Sequence, residues 1–270
     1  MDYKELLLQR DAGVATITLN RPQVMNALNQ ALISELVRAV DEASRDDDVR
    51  VVVVTGTGRG FCSGLDIKEE TSGGDAVGLE ASAPMLTRLS AGRRGIQRIP
   101  RTFHACQKPV IAAVNGPAIG GGMDIASMAD IRVASDTARF GMTHTMIARV
   151  SLDGGYYFLQ RIVGHAKAMD LVLSCRIFDA QEALTMGYVS RVVPQAELAA
   201  TAKALAAKIA GMSPVATRLA KQLLSQAHDS SLEQALEQVE VAMALIAATS
   251  DYSEGPRAFA EKRPPKFTGR

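Results

Sequence analysis

Two glycine-bearing turns are the part of this sequence best suited to chemistry. Gly60–Lys68 follows the apolar run Val51–Val54, and Asn115–Asp124, which contains three consecutive glycines, follows the apolar run Val110–Val114. Glycines let the backbone approach a ligand closely, and a helix that begins after such a turn presents unpaired N–H groups to negative charge. We therefore predict that the two turns converge on one oxygen atom that gains negative charge during a reaction.

The cysteines and histidines show no spacing typical of a disulfide framework, a metal site or a catalytic triad. The three cysteines are odd in number and far apart, and no HExxH or CxxC pattern occurs. Cys62 lies in the first turn, but no adjacent His and Asp pair would activate it, so we interpret it as a packing residue. The residues concerned are Cys62, Cys106, Cys175, His104, His144, His165 and His228. We predict no metal ion.

The strands that must position the turns are indicated by short apolar runs. Val51–Val54 and Val110–Val114 are continuous apolar segments, which is typical of strands covered on both faces. Val14–Leu19 alternates in part and is rich in β-branched residues, and Ile131–Ala134 is a further short strand candidate. These four segments predict the strands of an α/β core.

Helices are predicted between and after these strands. Asn29 can cap a helix in which leucine and valine recur at four-residue spacing, at Leu32, Leu36 and Val40. A small-residue helix is predicted after the glycine triplet and ends near Ala129. Residues 71–100, rich in glycine, predict a flap or an inserted helical segment. Two more helices are predicted over Tyr156–Val163 and Ala166–Leu173.

The last quarter of the chain differs from the rest in its composition. From Glu197 onward it is rich in alanine and leucine, and Ser213-Pro214 is typical of a helix start. A second helix there carries an apolar stripe, formed by Leu232, Leu236, Val239 and Met243. We predict two parts, an α/β core over residues 1–195 that holds the site and a C-terminal helical region over residues 196–270.

Composition and charge exclude several function classes. Hydrophobic residues make up 47% of the 270 residues and charged residues 22%, which predicts a folded globular protein. The formal net charge of +1 is too balanced for a dedicated nucleic-acid binder or a polybasic membrane binder. Apolar runs are too short to cross a bilayer and the first residues are polar, so we expect a cytoplasmic protein.

The order of motifs resembles the crotonase (enoyl-CoA hydratase/isomerase) superfamily along nearly the whole chain. The resemblance implies a spiral of repeated ββα units, a C-terminal helical region that forms a homotrimer or a dimer of trimers, and an acyl-CoA thioester as substrate. Coenzyme A would then arrive as part of the substrate, with no separate cofactor. The motifs are Ile17–Pro22, Asn26–Asn29, Val54–Lys68, Lys108–Gly116, Gly120–Gly122, Ala129–Arg132, Phe140-Gly141, Ala183–Pro194, Met212–Pro214 and Phe259–Arg263.

The resemblance also implies roles for individual residues. Its oxyanion hole of two backbone N–H groups falls on Leu65 and Gly121, and Leu65 can replace the more frequent alanine because only the N–H acts. Substrate-binding positions fall on Met25, Ala27, Ser63, Asp66, Ile67 and Gly120, with Phe259 and Lys262 reaching the pocket from the tail, in one interpretation from a neighbouring subunit.

The expected acid/base residues differ from those of the hydratases. Two glutamates of that branch are replaced by Asp124 and His144, and either group can still transfer a proton. The Gly-Gly-Gly-x-Asp form resembles the dienoyl-CoA isomerase branch, which has further carboxylates where this chain has His144 and Leu152. Asp153 lies in a Ser-Leu-Asp-Gly-Gly run that looks like a segment of the naphthoyl-CoA synthase branch, so it is a third catalytic candidate.

Structural roles compete with each of these catalytic assignments. Asp124 could only favour the dipole of the helix that follows the glycines, His144 could be an exposed loop residue, and Asp153 could cap the helix over Tyr156–Val163.

The leading hypothesis for the activity is an enoyl-CoA hydratase/isomerase-like enzyme that stabilises a thioester enolate. The alternatives are dienoyl-CoA isomerisation, hydrolysis, ring-closing condensation, or acyl-CoA binding without turnover.

Overall fold

A six-stranded sheet lies at the centre of the fold. The structure is a computed structural model that describes residues 3–68, 93 and 95–270. The strand order of the sheet is β1-β2-β3-β4-β6-β9; β1 and β2 pair antiparallel, and all the other neighbours pair parallel. The strands are β1 Leu6–Asp11, β2 Val14–Leu19, β3 Val51–Gly56, β4 Val110–Val114, β6 Ile131–Ser135 and β9 Arg191–Val193. The four predicted strands are confirmed, whereas the apolar pattern did not reveal β1 or β9.

Both faces of this sheet are covered, as the continuous apolar runs predicted. Along β3, Val52 and Val54 belong to one hydrophobic core, and Val51 and Val53 belong to a second core on the opposite face. Because side chains alternate along a strand, an all-valine run supplies both cores at once.

A small second sheet lies beside the first. Its order is β5-β7-β8, with β5 and β7 parallel and β7 and β8 antiparallel. The strands are β5 Ala118–Ile119, β7 Arg139–Gly141 and β8 Phe178–Asp179. Strands of two or three residues are too short to show an alternating pattern, which explains why sequence analysis missed them.

Ten α-helices occur within the described residues. They are α1 Gln30–Arg45, α2 Arg98–Ala105, α3 Gly121–Met128, α4 Gly155–Val163, α5 His165–Ser174, α6 Ala180–Thr185, α7 Leu198–Ala210, α8 Pro214–Ala227, α9 Leu232–Ala247 and α10 Asp251–Ala260. Asn29 caps α1 as predicted, because its Oδ1 accepts a hydrogen bond from the Leu32 N–H at 2.9 Å. The predicted flap or insertion at 71–100 falls largely on residues 69–92 and 94, outside the described residues.

The helical C-terminal region begins with a helix that packs on the sheet. Leu198, Ala202, Leu205 and Ala206 of α7 form the second core with Val51 and Val53. The following helices, α8 to α10, bury fewer apolar side chains; Ala242 and Ala258 are buried, while the stripe of α9 is exposed. The division at residue 195 remains a prediction from the sequence.

No helix among the described residues is both long enough and apolar enough to span a membrane.

Candidate active site

The two glycine-bearing turns lie against each other at the carboxyl edge of the sheet. Cys62 and Ala118 form a parallel bridge, in which the Cys62 N–H donates to the Pro117 carbonyl at 3.1 Å and the Ile119 N–H donates to the Cys62 carbonyl at 3.0 Å. The turns meet because β3 and β4 are parallel neighbours, so that their carboxyl ends share one edge.

Two backbone N–H groups are left without partners where the turns meet. Within the described residues, neither the Leu65 N–H nor the Gly121 N–H donates to a protein acceptor. A Cβ placed on Gly64 would lie 3.4 Å from the Gly121 nitrogen and 2.8 Å from the Ile119 carbonyl oxygen, so only glycine permits this approach. Since Gly121 begins α3, its N–H also lies at the positive end of the helix dipole. The geometry suits an oxygen that gains negative charge.

These groups open onto a cavity of about 870 Å³. Its lining combines seven of the predicted site residues with apolar side chains, most of them from the loop that follows β7. The predicted residues are Ser63, Leu65, Ile67, Gly120, Gly121, His144 and Asp153, and the added lining includes Ile96, Met146, Ile147, Val150, Leu152 and Ile177. The loop residues could not be identified from the sequence, because they lie in no periodic element.

His144 and Asp124 are in direct contact. The His144 Nε2 lies 3.2 Å from the Asp124 Oδ2, and the side chains are 10% and 0% exposed. His144 begins a short 3-10 helix, His144–Ile147, so the alternative that it is an exposed loop residue is wrong. Asp124 lies in the first turn of α3, but it is not part of the cavity lining and stands behind His144.

Asp153 joins the same cluster through a serine that sequence analysis did not assign a role. The Ser151 Oγ lies 2.9 Å from the Asp124 Oδ2 and 3.1 Å from the Asp153 Oδ1, and it accepts the Gly155 N–H at 2.9 Å. The alternative that Asp153 caps the next helix is wrong, because α4 begins after Gly154 without a side-chain cap and Asp153 is only 1% exposed. The Ser-x-Asp-Gly-Gly spacing was the only signal for Ser151.

Burial sets the charge state of this cluster. Burial raises the pKa of Asp124 to about 6, although hydrogen bonds from Asp153 and Ser151 act in the opposite direction. Burial together with the neighbouring Asp124 carboxylate raises the pKa of Asp153 well above its usual value. Burial lowers the pKa of His144, against the attraction of Asp153. Burial therefore favours the neutral form of the imidazole and of both carboxyl groups.

Three polar atoms of the cluster have no hydrogen-bond partner among the described residues. They are the Asp124 Oδ1, the His144 Nδ1 and the Asp153 Oδ2. The Asp153 Oδ2 lies 3.3 Å from where a Cβ on Gly121 would stand, so this free oxygen is beside the candidate oxyanion site. Unpaired buried polar atoms are costly, and they mark positions where a ligand can supply the missing partner.

One imidazole and two carboxylates within 4.8 Å of one another are also a set of metal ligands. However, the Asp124 Oδ2 already contacts both Ser151 and His144, and the Asp153 Oδ1 contacts Ser151. These contacts account for the arrangement as a hydrogen-bonded network, and we interpret the cluster as a site for proton transfer.

Five predicted substrate-binding residues lie outside the cavity lining. Asp66 forms an ion pair with Arg21 at 3.0 Å, and the Met25 carbonyl accepts the Ser63 N–H at 3.0 Å, so these residues support the first turn. Ala27 is buried. Phe259, on α10, is 87% exposed, and Lys262 follows the end of that helix. Within the described part of this chain, neither tail residue lines the cavity.

Cys62 is a packing residue, as its sequence context predicted. Its side chain belongs to the main hydrophobic core, and burial raises the pKa of the thiol to about 12. A thiol that stays protonated is a poor nucleophile.

Comparison with known proteins gives consistent results along the whole chain. The enoyl-CoA hydratase/isomerase family profile matches residues 9–270. The chain is 40% identical over 270 residues to "Probable enoyl-CoA hydratase echA8" of Mycobacterium tuberculosis, with all of both chains covered. It is 33% identical to the 1,2-epoxyphenylacetyl-CoA isomerase of Escherichia coli, with 98% of each chain covered.

Solved structures agree with this assignment. The crystal structure of an enoyl-CoA hydratase from Bacillus anthracis matches with a TM-score of 0.88 and 33% identity, covering 99% of this chain and 100% of the other. The crotonase-like α/β fold implied by the sequence motifs is confirmed at this level. On the matches to both sequence and structure, the chain belongs to the enoyl-CoA hydratase/isomerase family.

Proposed function

We propose that this protein isomerises a double bond in an acyl-CoA thioester. The observation that carries the proposal is that two N–H groups without an acceptor among the described residues, those of Leu65 and Gly121, meet two proton-transfer groups, Asp153 and His144, in one cavity. The N–H groups would bind the thioester oxygen as it gains enolate character. Removal of one proton next to the carbonyl and its return at another carbon then moves the double bond.

The choice of isomerisation over hydration follows from the groups that line the cavity. Hydration needs a water molecule activated between two groups that accept and donate its protons. Here Asp124 is not part of the cavity lining, which leaves Asp153 as the carboxyl group beside the oxyanion site. One carboxyl group beside the oxyanion site is sufficient for removing and returning a proton. Hydration is the competing activity, since the relative from Mycobacterium tuberculosis carries a hydratase name.

The cavity lining indicates an apolar acyl group. Its side chains beyond the catalytic cluster are largely aliphatic, among them Ile96, Met146, Val150 and Ile177. A cavity of about 870 Å³ lies within the size range of small-molecule sites. We propose no resident cofactor, because coenzyme A is itself part of the substrate.

We also propose that copies of the chain self-associate as a homotrimer or a dimer of trimers. The stripe of α9 is exposed in the single chain, with Leu232 at 69%, Leu236 at 54%, Val239 at 42% and Met243 at 46%. Such a row of large apolar side chains is typical of an interface. In a trimer the exposed Phe259 could reach a neighbouring cavity, as the family resemblance implied.

The test is a panel of acyl-CoA thioesters that contains 2-enoyl, 3-enoyl and dienoyl chains, followed by mass spectrometry and by ultraviolet absorbance. Isomerisation leaves the mass unchanged but alters the absorbance of the conjugated system, whereas hydration adds one water and hydrolysis releases coenzyme A. We expect isomerisation in the wild type, its loss in Asp153→Asn, and wild-type rates in the exposed control Asp170→Asn.

Two outcomes would contradict the proposal at different levels. Hydration in place of isomerisation would refute the reaction but leave the acyl-CoA substrate class intact. Absence of any thioester binding by calorimetry would refute the substrate class as well.

A further inference from the structure

We infer that Ser151 is a positioning residue that carries one shared proton between Asp153 and Asp124. This inference rests on the proposed function for its catalytic consequence, but its structural basis is separate. The Ser151 Oγ contacts the Asp153 Oδ1 at 3.1 Å and the Asp124 Oδ2 at 2.9 Å, and Gly155 donates to it at 2.9 Å. Both carboxyl groups are fully enclosed, being 0% and 1% exposed.

The number of protons follows from the capacity of a hydroxyl group. A serine hydroxyl has one proton to donate and two lone pairs that accept. The Gly155 N–H occupies one lone pair, so the hydroxyl can donate to one carboxylate and accept from the other carboxyl group. All three contacts of Ser151 are satisfied only when one of the two aspartates is protonated. If both carboxylates were ionised, one carboxylate oxygen would face a lone pair of the Ser151 Oγ with no proton between the two atoms.

The same chain of contacts provides a route for moving that proton. The Asp153 Oδ1–H bond breaks as the Ser151 Oγ takes the proton, and the Ser151 Oγ–H bond breaks as its own proton passes to the Asp124 Oδ2. Ser151 is unchanged, the negative charge moves from Asp124 to Asp153, and no proton enters or leaves the cluster. His144, whose Nε2 lies 3.2 Å from the Asp124 Oδ2, stays in contact with Asp124 in both states.

The transfer decides what Asp153 can do to a substrate. With the proton on Asp124, the Asp153 carboxylate is ionised and its Oδ2 beside Gly121 is a base; with the proton on the Asp153 Oδ1, the same carboxyl group is neutral and is no longer a base. Asp124 is not part of the cavity lining, and it holds the proton while Asp153 is ionised. Ser151 therefore acts through Asp153 and need not touch the substrate.

The experiment compares Ser151→Ala, which removes the hydroxyl, with Ser151→Thr, which keeps it. Ser190→Ala is the matched control, because the Ser190 hydroxyl donates to the Arg132 carbonyl far along the chain from the cluster. We expect Ser151→Ala to lower kcat by about a hundredfold while KM changes by less than about threefold. Ser151→Thr should recover most of kcat. Equal kcat values in Ser151→Ala and the wild type would overturn the inference.

A second measurement separates proton transfer from simple support of the fold. In mixtures of H2O and D2O, a step that moves two protons gives a curved dependence of rate on deuterium fraction, and a step that moves one gives a straight line. We expect curvature in the wild type and in Ser151→Thr, and a straight line in the residual activity of Ser151→Ala. A straight line in the wild type would contradict the relay.

A third measurement requires no turnover, so failure of the proposed function does not remove the test. Infrared spectroscopy of protein labelled with 13C in its aspartate carboxyl groups reports protonated aspartates directly. We expect one protonated carboxyl signal at neutral pH, absent in Asp153→Asn, and altered in Ser151→Ala. No such signal in the wild type would refute the shared proton, whereas a signal in a protein that turns over no thioester would refute only the proposed reaction.

Discussion

At the scale of single residues, the site contains buried carboxyl groups whose ionised form is costly in free energy of folding. Asp124 is fully buried and its Oδ1 has no partner among the described residues, although its Oδ2 contacts Ser151 and His144. Enzymes often retain such groups at a cost in stability, because the strained arrangement is what performs the reaction. Two substitutions test this at the residues concerned.

Asp124→Asn should stabilise the protein above neutral pH while it lowers activity. The folded pKa of about 6 exceeds the ordinary 3.8, so the stability that Asp124 contributes is present below pH 3.8 and is lost as the pH rises through 6. Removing the charge should raise the free energy of unfolding at pH 8 by roughly 1–3 kcal/mol, with little change near pH 4. Urea denaturation at fixed protein concentration measures the free energy of unfolding at each pH. A less stable variant at pH 8 would contradict this account.

Leu65→Ala and Leu65→Pro distinguish the contribution of the Leu65 N–H group from that of the Leu65 side chain. The alanine variant keeps the N–H, so we expect rates within about threefold of the wild type. The proline variant removes the N–H, which has no internal acceptor among the described residues, and should lower kcat by about a hundredfold or more. Steady-state kinetics measures the effect, and thioester binding checks that each variant is folded. Equal losses in both variants would remove Leu65 from the oxyanion site.

At the scale of elements, helix packing positions the acid/base groups. All eight residues of α3 are buried, and the start of α4 lies against the side chain of Asp124. A Cβ on Gly155 would stand 1.7 Å from the Asp124 Oδ1, so glycine is the only residue that lets α4 come this close. The carboxylate thus occupies the space that a side chain at the start of α4 would fill.

Gly155→Ala should therefore displace Asp124 and damage the site. Overpacking at a buried position costs about 1–3 kcal/mol, and we expect a similar loss in the free energy of unfolding together with a loss of activity. Gly211→Ala is the matched control, because a Cβ there meets nothing closer than 3.5 Å. Thermal unfolding and steady-state kinetics measure both variants. Full activity in Gly155→Ala would show that Asp124 does not need its observed position.

At the scale of the whole molecule, the described part of the chain has a well-buried sheet and an incompletely buried C-terminal region. Arg50 links the sheet to the C-terminal region, because its guanidinium donates to the Ala210 carbonyl at 2.9 Å and to the Phe267 carbonyl at 2.9 Å. Beyond α7, however, the apolar stripe of α9 is exposed in the single chain. We expect a second copy to cover it.

Light scattering should show a trimer or a hexamer at micromolar concentration. Leu236→Glu combined with Met243→Glu places charge on the stripe and should shift the protein towards monomer. Glu237→Lys is a control on the same helix for a change in charge alone, outside the stripe. A wild-type monomer of 28.7 kDa would contradict the proposed assembly.

The sequence by itself determined the elements and the two turns. The apolar runs of β2, β3 and β4 predicted strands, Asn29 predicted the start of α1, and the glycines predicted turns that approach a ligand closely. These features are local, because backbone preference, side-chain alternation and capping depend on residues close together in the chain. The resemblance in motif order similarly indicated the family, because the glycine-bearing turns and their order along the chain can be read from the sequence.

Only the tertiary structure decided how the acid/base groups are arranged. Asp124, His144 and Asp153 are spread over 30 residues. Their contacts depend on how α3, the loop after β7 and the start of α4 pack together. Sequence spacing therefore could not show that Asp124 stands behind the cavity or that Ser151 joins the two aspartates. The pKa of each group is set by burial and by neighbours distant in sequence, which are properties of the folded chain alone.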